Sequence, residues 1–322
     1  MTIRVLVTGA GGPAGVAVIR SLLRRPDVEV LAADMDGWAS GLYLVSAERR
    51  RLVPAGASAG FVEALAAIAR DDRLDAIVPT VDVELLSLAG SRSRVPATIV
   101  AASDEALATS LDKWMLVQAC EGAAPVPRTR LLDADGVAAD WDFPVIVKPR
   151  RGAGSRGVAR IDDRAALEAL ELDDGIVVQQ FLPGDEYSVD VLMGQEGRAI
   201  AAVPRLRARV DSGVAIAGRT VHDDELEATA VACARAAGIV GVANVQLRRD
   251  GEGVAALLEI NPRFSGAMPL TIASGVDMPS IALDLALGIP TPAAVPFREI
   301  ANVRHLEDVF LDPSEILEVD GA

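Results

Sequence analysis

Three polar side chains stand out near the end of the chain because their spacing suits a paired set of ligands. Glu259 and Asn261 lie two residues apart at the end of the apolar run LLEIN, so on a strand they point to the same face. Gln246 lies upstream in the apolar run VANVQL, and the segment between them contains an Asp-Gly turn signal. A hairpin folded about residues 252–253 places Gln246 opposite Glu259.

The expected hairpin face carries oxygen atoms from one carboxylate and two carboxamides. Hard cations such as Mg²⁺ take oxygen ligands and usually keep waters and substrate phosphates as the remaining ones. The pattern therefore favours a divalent-metal site. An ordinary hairpin whose polar residues face water explains the same spacing and stays open at this point.

A second candidate site is the basic, glycine-rich stretch PVIVKPRRGAGSRGV at residues 144–158. Pro149 keeps Lys148 extended, so the lysine ammonium projects from the end of a strand. The loop after it can close backbone amides over phosphate oxygens, and its residues are Gly152, Gly154, Ser155 and Gly157. A helical tract expected over residues 104–122 carries Lys113, which should lie near the basic residues of this stretch in space. The alternative is that the stretch is a basic turn exposed to solvent.

Composition narrows the class of protein. The 322 residues carry 31 basic and 46 acidic side chains, a net charge of −15, which argues against binding nucleic acid or anionic lipid. Two cysteines and two histidines argue against a disulfide framework, a zinc site or a histidine triad. The apolar runs are too short to span a bilayer, and a cytoplasmic protein is expected.

The first hundred residues alternate strand-like and helix-like segments, which predicts an open parallel sheet. The string Gly9-x-Gly11-Gly12-x-x-Gly15 approximates a dinucleotide fingerprint. It favours either an NAD(P) site or a tight strand-to-helix turn. Asp82 and Glu84 are expected at the same rim of the sheet, where Glu84 either binds an amine or is a first-turn acid favoured by the helix dipole.

The middle of the chain adds a hinge-like segment and a row of arginines. Residues 179–182 are extended and apolar and can offer backbone groups to a flat heterocycle, and Glu186 can accept hydrogen bonds from ribose hydroxyls or simply face solvent. Arg205, Arg207 and Arg209 alternate along one strand. Such a row predicts an anionic ligand because guanidinium groups pair with carboxylates and phosphates; surface ion pairs are the alternative.

Taken together and in this order, these segments resemble the ATP-grasp superfamily, in particular its carbamoyl-phosphate-synthetase-like branch. The matching segments are Asp112-Lys113, VKPRRGAGSRGV, VVQQFLPGDEYSVDV, PRLRARV and NVQL with LLEINPRFSG. The resemblance implies an α/β and α+β protein with three units. These are a Rossmann-like pre-ATP-grasp domain at 1–108, a small lid lobe at 109–186 and a large lobe with the metal site at 187–322.

The resemblance also implies roles for single residues. Lys113 and Lys148 match the lysines that hold the ATP phosphates, Gln179, Gln180 and Leu182 match the adenine hinge, and Glu186 matches the ribose-binding acid. Gln246, Glu259 and Asn261 match the ligands of Mg²⁺ or Mn²⁺, Arg263 matches the arginine that steadies a phosphorylated intermediate, and Gly152 to Gly157 match the mobile phosphate loop. The three strand arginines fall where relatives often bind a carboxylate substrate.

Two positions depart from the family pattern. Position 180 is glutamine where an acid is common, and position 246 is glutamine where many ligases have aspartate, which lowers the charge of the metal site. The chain contains one such unit, whereas carbamoyl phosphate synthesis uses two.

The expected activity is that of an ADP-forming carboxylate–amine ligase working through an acyl phosphate on small molecules, with a homodimer as the default assembly. The alternatives are an NAD(P)-dependent oxidoreductase built on the glycine turn and a non-catalytic ATP-binding protein of the same fold.

Overall fold

The computed structural model describes residues 2–152, 154, 156–211 and 214–318. Its strands are β1 Ile3–Val7, β2 Val28–Asp34, β3 Arg50–Leu52, β4 Ala76–Val78, β5 Thr98–Ile99, β6 Thr129–Leu132, β7 Val145–Pro149, β8 Ala159–Ile161, β9 Asp173–Gln180, β10 Glu186–Met193, β11 Ala199–Asp211, β12 Val214–Thr220, β13 Gly241–Arg249, β14 Ala255–Asn261 and β15 Ala301–Val303.

Ten α-helices accompany these strands in the described residues. They are α1 Pro13–Leu22, α2 Phe61–Asp71, α3 Asp82–Leu88, α4 Asp104–Ser110, α5 Lys113–Cys120, α6 Ala134–Ala138, α7 Arg164–Glu168, α8 Asp224–Ala236, α9 Met268–Ala273 and α10 Met278–Ala286. None of the helices in the described part of the chain combines the length and the apolar character needed to cross a membrane.

The first sheet is parallel, with strand order β3-β2-β1-β4-β5. Its central strand is buried on both faces: Val5 and Val7 pack in the cluster that contains α1, and Leu6 packs in the cluster that contains α2. A strand covered on both faces reads as a continuous apolar run, which is why IRVLV does not alternate. The predicted parallel sheet is confirmed.

The glycine turn after β1 is packed tightly against its own surroundings. Its amides are used internally, because Ala10 N donates to Ala33 O at 3.1 Å and Gly11 N donates to the Asp34 carboxylate at 2.8 Å. A short 3₁₀ turn, Ser40–Leu44, lies on it, and a Cβ at Gly41 would meet the carbonyl oxygen of Ala10 at 2.0 Å. Backbone therefore covers the turn where a dinucleotide pyrophosphate would have to approach.

The other two sheets are antiparallel and follow in sequence. Four strands in the order β6-β9-β7-β8 form one sheet, and six strands in the order β14-β13-β10-β11-β12-β15 form the other. On the large sheet, α8 covers one face through the cluster of Val189, Val245 and Leu226. The expected fold class is confirmed, although the predicted boundary at 108/109 falls inside α4 and the boundaries stay a prediction.

The helical tract expected over residues 104–122 is two helices rather than one. Asp112 interrupts it and caps α5, because its side chain accepts from the amides of Trp114 and Met115. An aspartate side chain competes with the helix backbone in this way and favours a helix start over a helix interior. The break sets Lys113 at the first position of α5.

The last described segment returns to the first sheet. The amide of Leu317 donates to the Tyr43 hydroxyl at 3.2 Å, and Arg50 lies 3.6 Å from the Glu315 carboxylate. These two contacts pack the last described residues against the first sheet and its 3₁₀ turn.

Gly15 at the start of α1 tests the tight packing of the glycine turn. A Cβ there would lie 2.2 Å from the carbonyl oxygen of Gly9, so Gly15→Ala should destabilise the protein by about 1–3 kcal/mol, the usual cost of overpacking, despite alanine's better helix propensity. Urea unfolding measures the effect. Gly251→Ala is the control, since a Cβ at Gly251 meets nothing within 4 Å; equal midpoints for the two variants would contradict the packing described here.

Candidate active site

The β13–β14 hairpin has the register expected from the sequence. Gln246 pairs with Glu259 and Asn244 pairs with Asn261, with a bulge just after Gln246. Directly opposite residues of an antiparallel pair share a face, so Gln246, Glu259 and Asn261 lie on the same side of the sheet. Asn261 Nδ2 donates to Glu259 Oε1 at 3.2 Å.

Two lysines approach this face, one from the four-stranded sheet and one from the start of α5. Lys148, in β7, is 7% exposed and its Nζ donates to the Leu258 carbonyl at 3.4 Å. Lys113 Nζ lies 3.7 Å from Glu259 Oε2 and donates to the Gly152 carbonyl at 3.0 Å. Lys113 therefore contacts the Glu259 carboxylate, and Lys148 lies near enough to both for their charges to affect its pKa.

Burial dominates the proton affinity of Lys148. It lowers the pKa of the ammonium to about 8, with the nearby charge of Lys113 acting in the same direction and the Glu259 carboxylate opposing both. A buried cation is costly unless an anion compensates it. The site is therefore set up to receive negative charge.

Asp112 is the side chain that fixes the lysine helix to the basic loop. It is completely buried, caps α5, and accepts from Arg150 Nε at 3.1 Å and Nη2 at 2.8 Å. Burial acts to raise the pKa of Asp112, but the Arg150 hydrogen bonds and two helix amides outweigh it, so the pKa lies below its ordinary value. Arg150 is consequently a structural partner of Asp112.

The predicted phosphate loop joins β7 to β8. Its described glycines, Gly152, Gly154 and Gly157, all have positive φ, a conformation that other residues adopt at a cost. Gly152 also receives the Lys113 ammonium on its carbonyl. Ser155, expected in this loop, lies outside the described residues.

The predicted adenine hinge follows β9. Gln179 is buried and its side chain donates to Thr129 Oγ1 at 2.9 Å, whereas Gln180 is exposed and its amide donates to Arg128 O at 2.8 Å. Leu182 is buried. The Gln179 side chain is thus hydrogen-bonded to the neighbouring strand β6, and the Gln180 backbone amide is also hydrogen-bonded within the protein.

Glu186 and the expected arginine row lie on the large sheet, but the row is not uniform. Arg207 donates to Glu186, so the predicted ribose acid has a cationic neighbour. A bulge shifts the register between Arg207 and Arg209, which pair with the adjacent residues Gly218 and Ala217. Adjacent strand residues face opposite sides; the prediction of three arginines on one face is therefore wrong for Arg209.

Arg205 is also not a free anion receptor. It is 2% exposed, and its Nε and Nη2 donate to Asp190 at 3.0 and 2.8 Å. Asp190, itself fully buried, also accepts from Asn244, Ser265 and Thr271. The anion expected for Arg205 is supplied by the chain, and this network anchors the loop that follows β14.

Arg263 stands at the start of that loop and faces the first sheet. Its Nε and Nη2 donate to the two Asp82 carboxylate oxygens at 2.8 and 3.0 Å. Nη2 also lies 3.3 Å from Asn261 Oδ1. The arginine expected to steady a phosphorylated group thus contacts an expected metal ligand directly.

Glu84 lines a separate cavity of about 140 Å³ at the rim of the first sheet, together with Gly9, Asp34 and Gly56. It is 6% exposed and accepts from Thr8 Oγ1 at 2.7 Å. Burial raises the pKa of the Glu84 carboxyl to about 7, with the Thr8 hydrogen bond acting in the opposite direction. The position at the carboxyl end of parallel strands agrees with the rim predicted from sequence.

Arg304 is a cation of this region that the sequence did not reveal. It follows β15, is about half-buried and donates to the Gly266 carbonyl. Burial and the neighbouring Arg205 lower its pKa below the ordinary value. A single arginine in a polar tail has no spacing signal, so only the packing of that tail on the loop after Arg263 identifies it.

The metal ligands expected at the hairpin include one carboxylate. Within the described ranges, no group of three or more His, Cys, Asp or Glu side chains could hold a metal ion. A cation here would therefore depend on carboxamide oxygens, water and ligand phosphates as well as Glu259. The roles of Gln246, Glu259 and Asn261 stay a prediction.

Comparison with known proteins supports the resemblance to ATP-grasp proteins. Residues 173–309 match a family described as ATP-grasp in the biosynthetic pathway with Ter operon. The chain is 27% identical over 176 residues to a carbamoyl phosphate synthase large chain of Clostridium acetobutylicum, covering 50% of this chain and 16% of that protein. It is 30% identical over 181 residues to a D-alanine–D-alanine ligase of Ectopseudomonas mendocina, covering 48% and 56%. The matches thus span little more than half the length of these relatives at most.

Solved structures share the fold over most of the chain. N5-carboxyaminoimidazole synthetase from Staphylococcus aureus superposes with a TM-score of 0.73 and 16% identity, covering 92% of this chain and 81% of that one. A complex of biotin carboxylase with β,γ-ATP from Campylobacter jejuni gives 0.72 and 19%, covering 90% and 72%. This chain is therefore similar to an ATP-grasp family over residues 173–309 and shares the fold of these solved structures over about nine tenths of its length.

Proposed function

We propose that this protein is an ATP-dependent, ADP-forming ligase that joins a small carboxylate to a small amine. The observation that carries the proposal is the buried Lys148 ammonium, which lies near the pair formed by Lys113 and Glu259. Two cations around one carboxylate leave an excess of positive charge in a site of low exposure. A triphosphate is the ligand that the ATP-grasp relatives suggest for such a charge.

The residues present fit a nucleotide held between the four-stranded and six-stranded sheets. Lys113 and Lys148 would hold the α- and β-phosphates, and the loop from Gly152 to Gly157 would cover them. The backbone of residues 179–182 would receive the adenine. Glu186 would bind the ribose hydroxyls, either after Arg207 has moved away from its carboxylate or while both ligands share it.

The donor set of the hairpin fits a hard cation such as Mg²⁺ or Mn²⁺. Gln246, Glu259 and Asn261 would hold it through oxygen atoms on one face of β13 and β14. When bound, the cation would neutralise charge on the phosphates during transfer. Arg263 adds a guanidinium beside Asn261, where it can stabilise charge that develops on the transferred phosphoryl group.

The proposed reaction has two steps. A carboxylate oxygen of the substrate bonds to the terminal phosphorus of ATP while the bond to ADP breaks, which gives an acyl phosphate. The amine nitrogen then bonds to the acyl carbon, inorganic phosphate leaves, and the amine proton leaves with it. Such transfers depend mainly on positioning and charge neutralisation, which the lysines, Arg263 and the hairpin provide.

The two substrates would approach from the first sheet and from the loop after β14. The cavity at Glu84 suits an amine, because an ionised carboxylate there pairs with an ammonium. Arg304 lies against the loop at residues 264–267 and would offer a guanidinium group for the carboxylate. A cytoplasmic location and a homodimer stay predictions.

The NAD(P) alternative is weakened by the packing of the glycine turn. The Ser40–Leu44 turn lies against Ala10, and the turn amides are hydrogen-bonded within the protein. The non-catalytic alternative keeps the same fold and is distinguished by turnover.

Thermal shift and phosphate release test the proposal. MgATP should raise Tm and NAD(P)H should not, and ADP and phosphate should form with some member of a broad pool of carboxylates and amines. Lys148→Ala and Glu259→Ala should abolish ADP formation without unfolding the protein. Stabilisation by NAD(P)H alone would reject the ligase, silence across the pool would favour the non-catalytic alternative, and unchanged turnover in either variant would refute the site.

Lys148 also gives a test that needs no substrate. Its pKa is about 8 in the folded protein against 10.5 for a free lysine, so the unfolded chain binds more protons between these values and the free energy of unfolding rises with pH across that window. Below pH 8 the burial cost is fully present, and a pKa difference of this size corresponds to about 3 kcal/mol.

Lys148→Met should therefore raise Tm at pH 7 by several degrees, with a smaller gain near pH 10; Tm lower than wild type at pH 7 would contradict the assignment. MgATP should no longer stabilise this variant.

Glu84 should impose a pH dependence on the amine substrate. Its carboxyl is protonated below about 7 and ionised above, so KM for the amine should fall as pH rises from 6 to 8. Glu84→Gln should show a KM at least about tenfold higher, the loss expected when a charged partner is removed from a buried pair, and a flat profile. The carboxylate KM serves as the internal control; a parallel pH dependence of both KM values would exclude this role.

A further inference from the structure

The Asp82–Arg263 ion pair joins the first sheet to the end of the β14 strand. Both carboxylate oxygens of Asp82 accept from Arg263, at 2.8 and 3.0 Å, and both side chains are about four-fifths buried. A bidentate pair of this kind holds the guanidinium plane in one orientation. Asp82 begins α3, whose first turn also carries Glu84.

Arg263 passes this constraint to the hairpin. Its Nη2 donates to Asn261 Oδ1 at 3.3 Å, and Asn261 Nδ2 donates in turn to Glu259 Oε1 at 3.2 Å. Glu259 Oε2 then lies 3.7 Å from the Lys113 ammonium, which donates to the Gly152 carbonyl. An unbroken series of contacts runs from the first sheet to the glycine-rich loop.

The direction of each hydrogen bond in this series is determined by chemistry. Guanidinium and ammonium groups only donate, and ionised carboxylates only accept. The Asn261 carboxamide is the one member that can turn over, and Arg263 on one side with Glu259 on the other determines which end is oxygen. The oxygen end is the one that a hard cation requires.

We propose that Asp82 is a positioning residue for the metal and phosphate site, acting through Arg263 and Asn261. The inference rests on the proposed function, since it assigns a further residue to the same site. Without the Asp82 charge, the Arg263 guanidinium is no longer held in plane, and the carboxamide of Asn261 loses the donor that orients it. The first sheet thereby contributes directly to a centre otherwise built from the other two sheets.

The test compares nucleotide binding with and without the metal. Affinity for a non-hydrolysable ATP analogue is measured by calorimetry in Mg²⁺ and in EDTA. Asp82→Asn should bind about tenfold more weakly in Mg²⁺, as is usual when a partner of a metal ligand is lost, and like wild type in EDTA. Asp82→Glu keeps the charge and should recover part of the Mg²⁺-dependent affinity.

Asp104→Asn is the matched control. Asp104 also begins a helix close to the first sheet, but it pairs with Arg92 at 2.7 Å rather than with Arg263, so this variant should match wild type in both buffers. A wild-type Mg²⁺ response in Asp82→Asn, or an equal loss in Mg²⁺ and EDTA, would overturn the inference. Failure of wild type itself to bind the analogue would instead overturn the proposed function.

Discussion

The structure depends on holding two largely buried ammonium groups close to one partly exposed carboxylate. Burial and the repulsion from Lys113 lower the pKa of Lys148, and Glu259 offsets them only in part. Two ammonium groups that repel each other come this close only where the backbone holds them in place. Here β7 supplies Lys148, α5 supplies Lys113 and β14 supplies Glu259, and each element is secured by contacts of its own.

Buried charge is compensated locally elsewhere in the same region. Asp112 binds Arg150 and caps α5, which fixes the start of the helix that carries Lys113 to the end of β7. Asp190 binds Arg205 and three neutral donors, which ties the loop after β14 to the large sheet. Both carboxylates are satisfied by several donors, the condition under which a buried ion pair is tolerable. Glu259 differs from them, since its side chain is 27% exposed.

The polar face of the large sheet also explains how one element serves packing and chemistry. Alternate residues of β10 and β13 pack in the apolar cluster that contains α8, and several of the residues between them are polar, among them Ser188, Asn244 and Gln246. The first sheet borders this polar face through Asp82 and places the Glu84 cavity close by, on the same helix. The proposed nucleotide site and the Glu84 cavity are thus adjacent although they belong to different sheets.

The local features of this site could be predicted from the sequence. Alternating side chains and the Asp-Gly turn determine the β13–β14 register, and a strand followed by Pro149 and glycines determines the projection of Lys148, because both depend on neighbours within a few residues. Helix and strand positions in the first sheet follow for the same reason. The break of the helical tract at Asp112 did not follow from periodicity, since it depends on a side-chain cap.

Only the tertiary structure decided which charges meet. Arg205 is neutralised by Asp190, Arg209 is turned away by a bulge, Arg304 enters from the tail, and Arg263 reaches Asp82 across 181 positions of sequence. Spacing cannot reveal such pairs, because the distance between them is set by how the sheets pack. The amino-acid sequence alone determined the secondary elements and the residues that each carries to its end, whereas the packing of the sheets decided which of those residues are free to bind a ligand and which are consumed by one another.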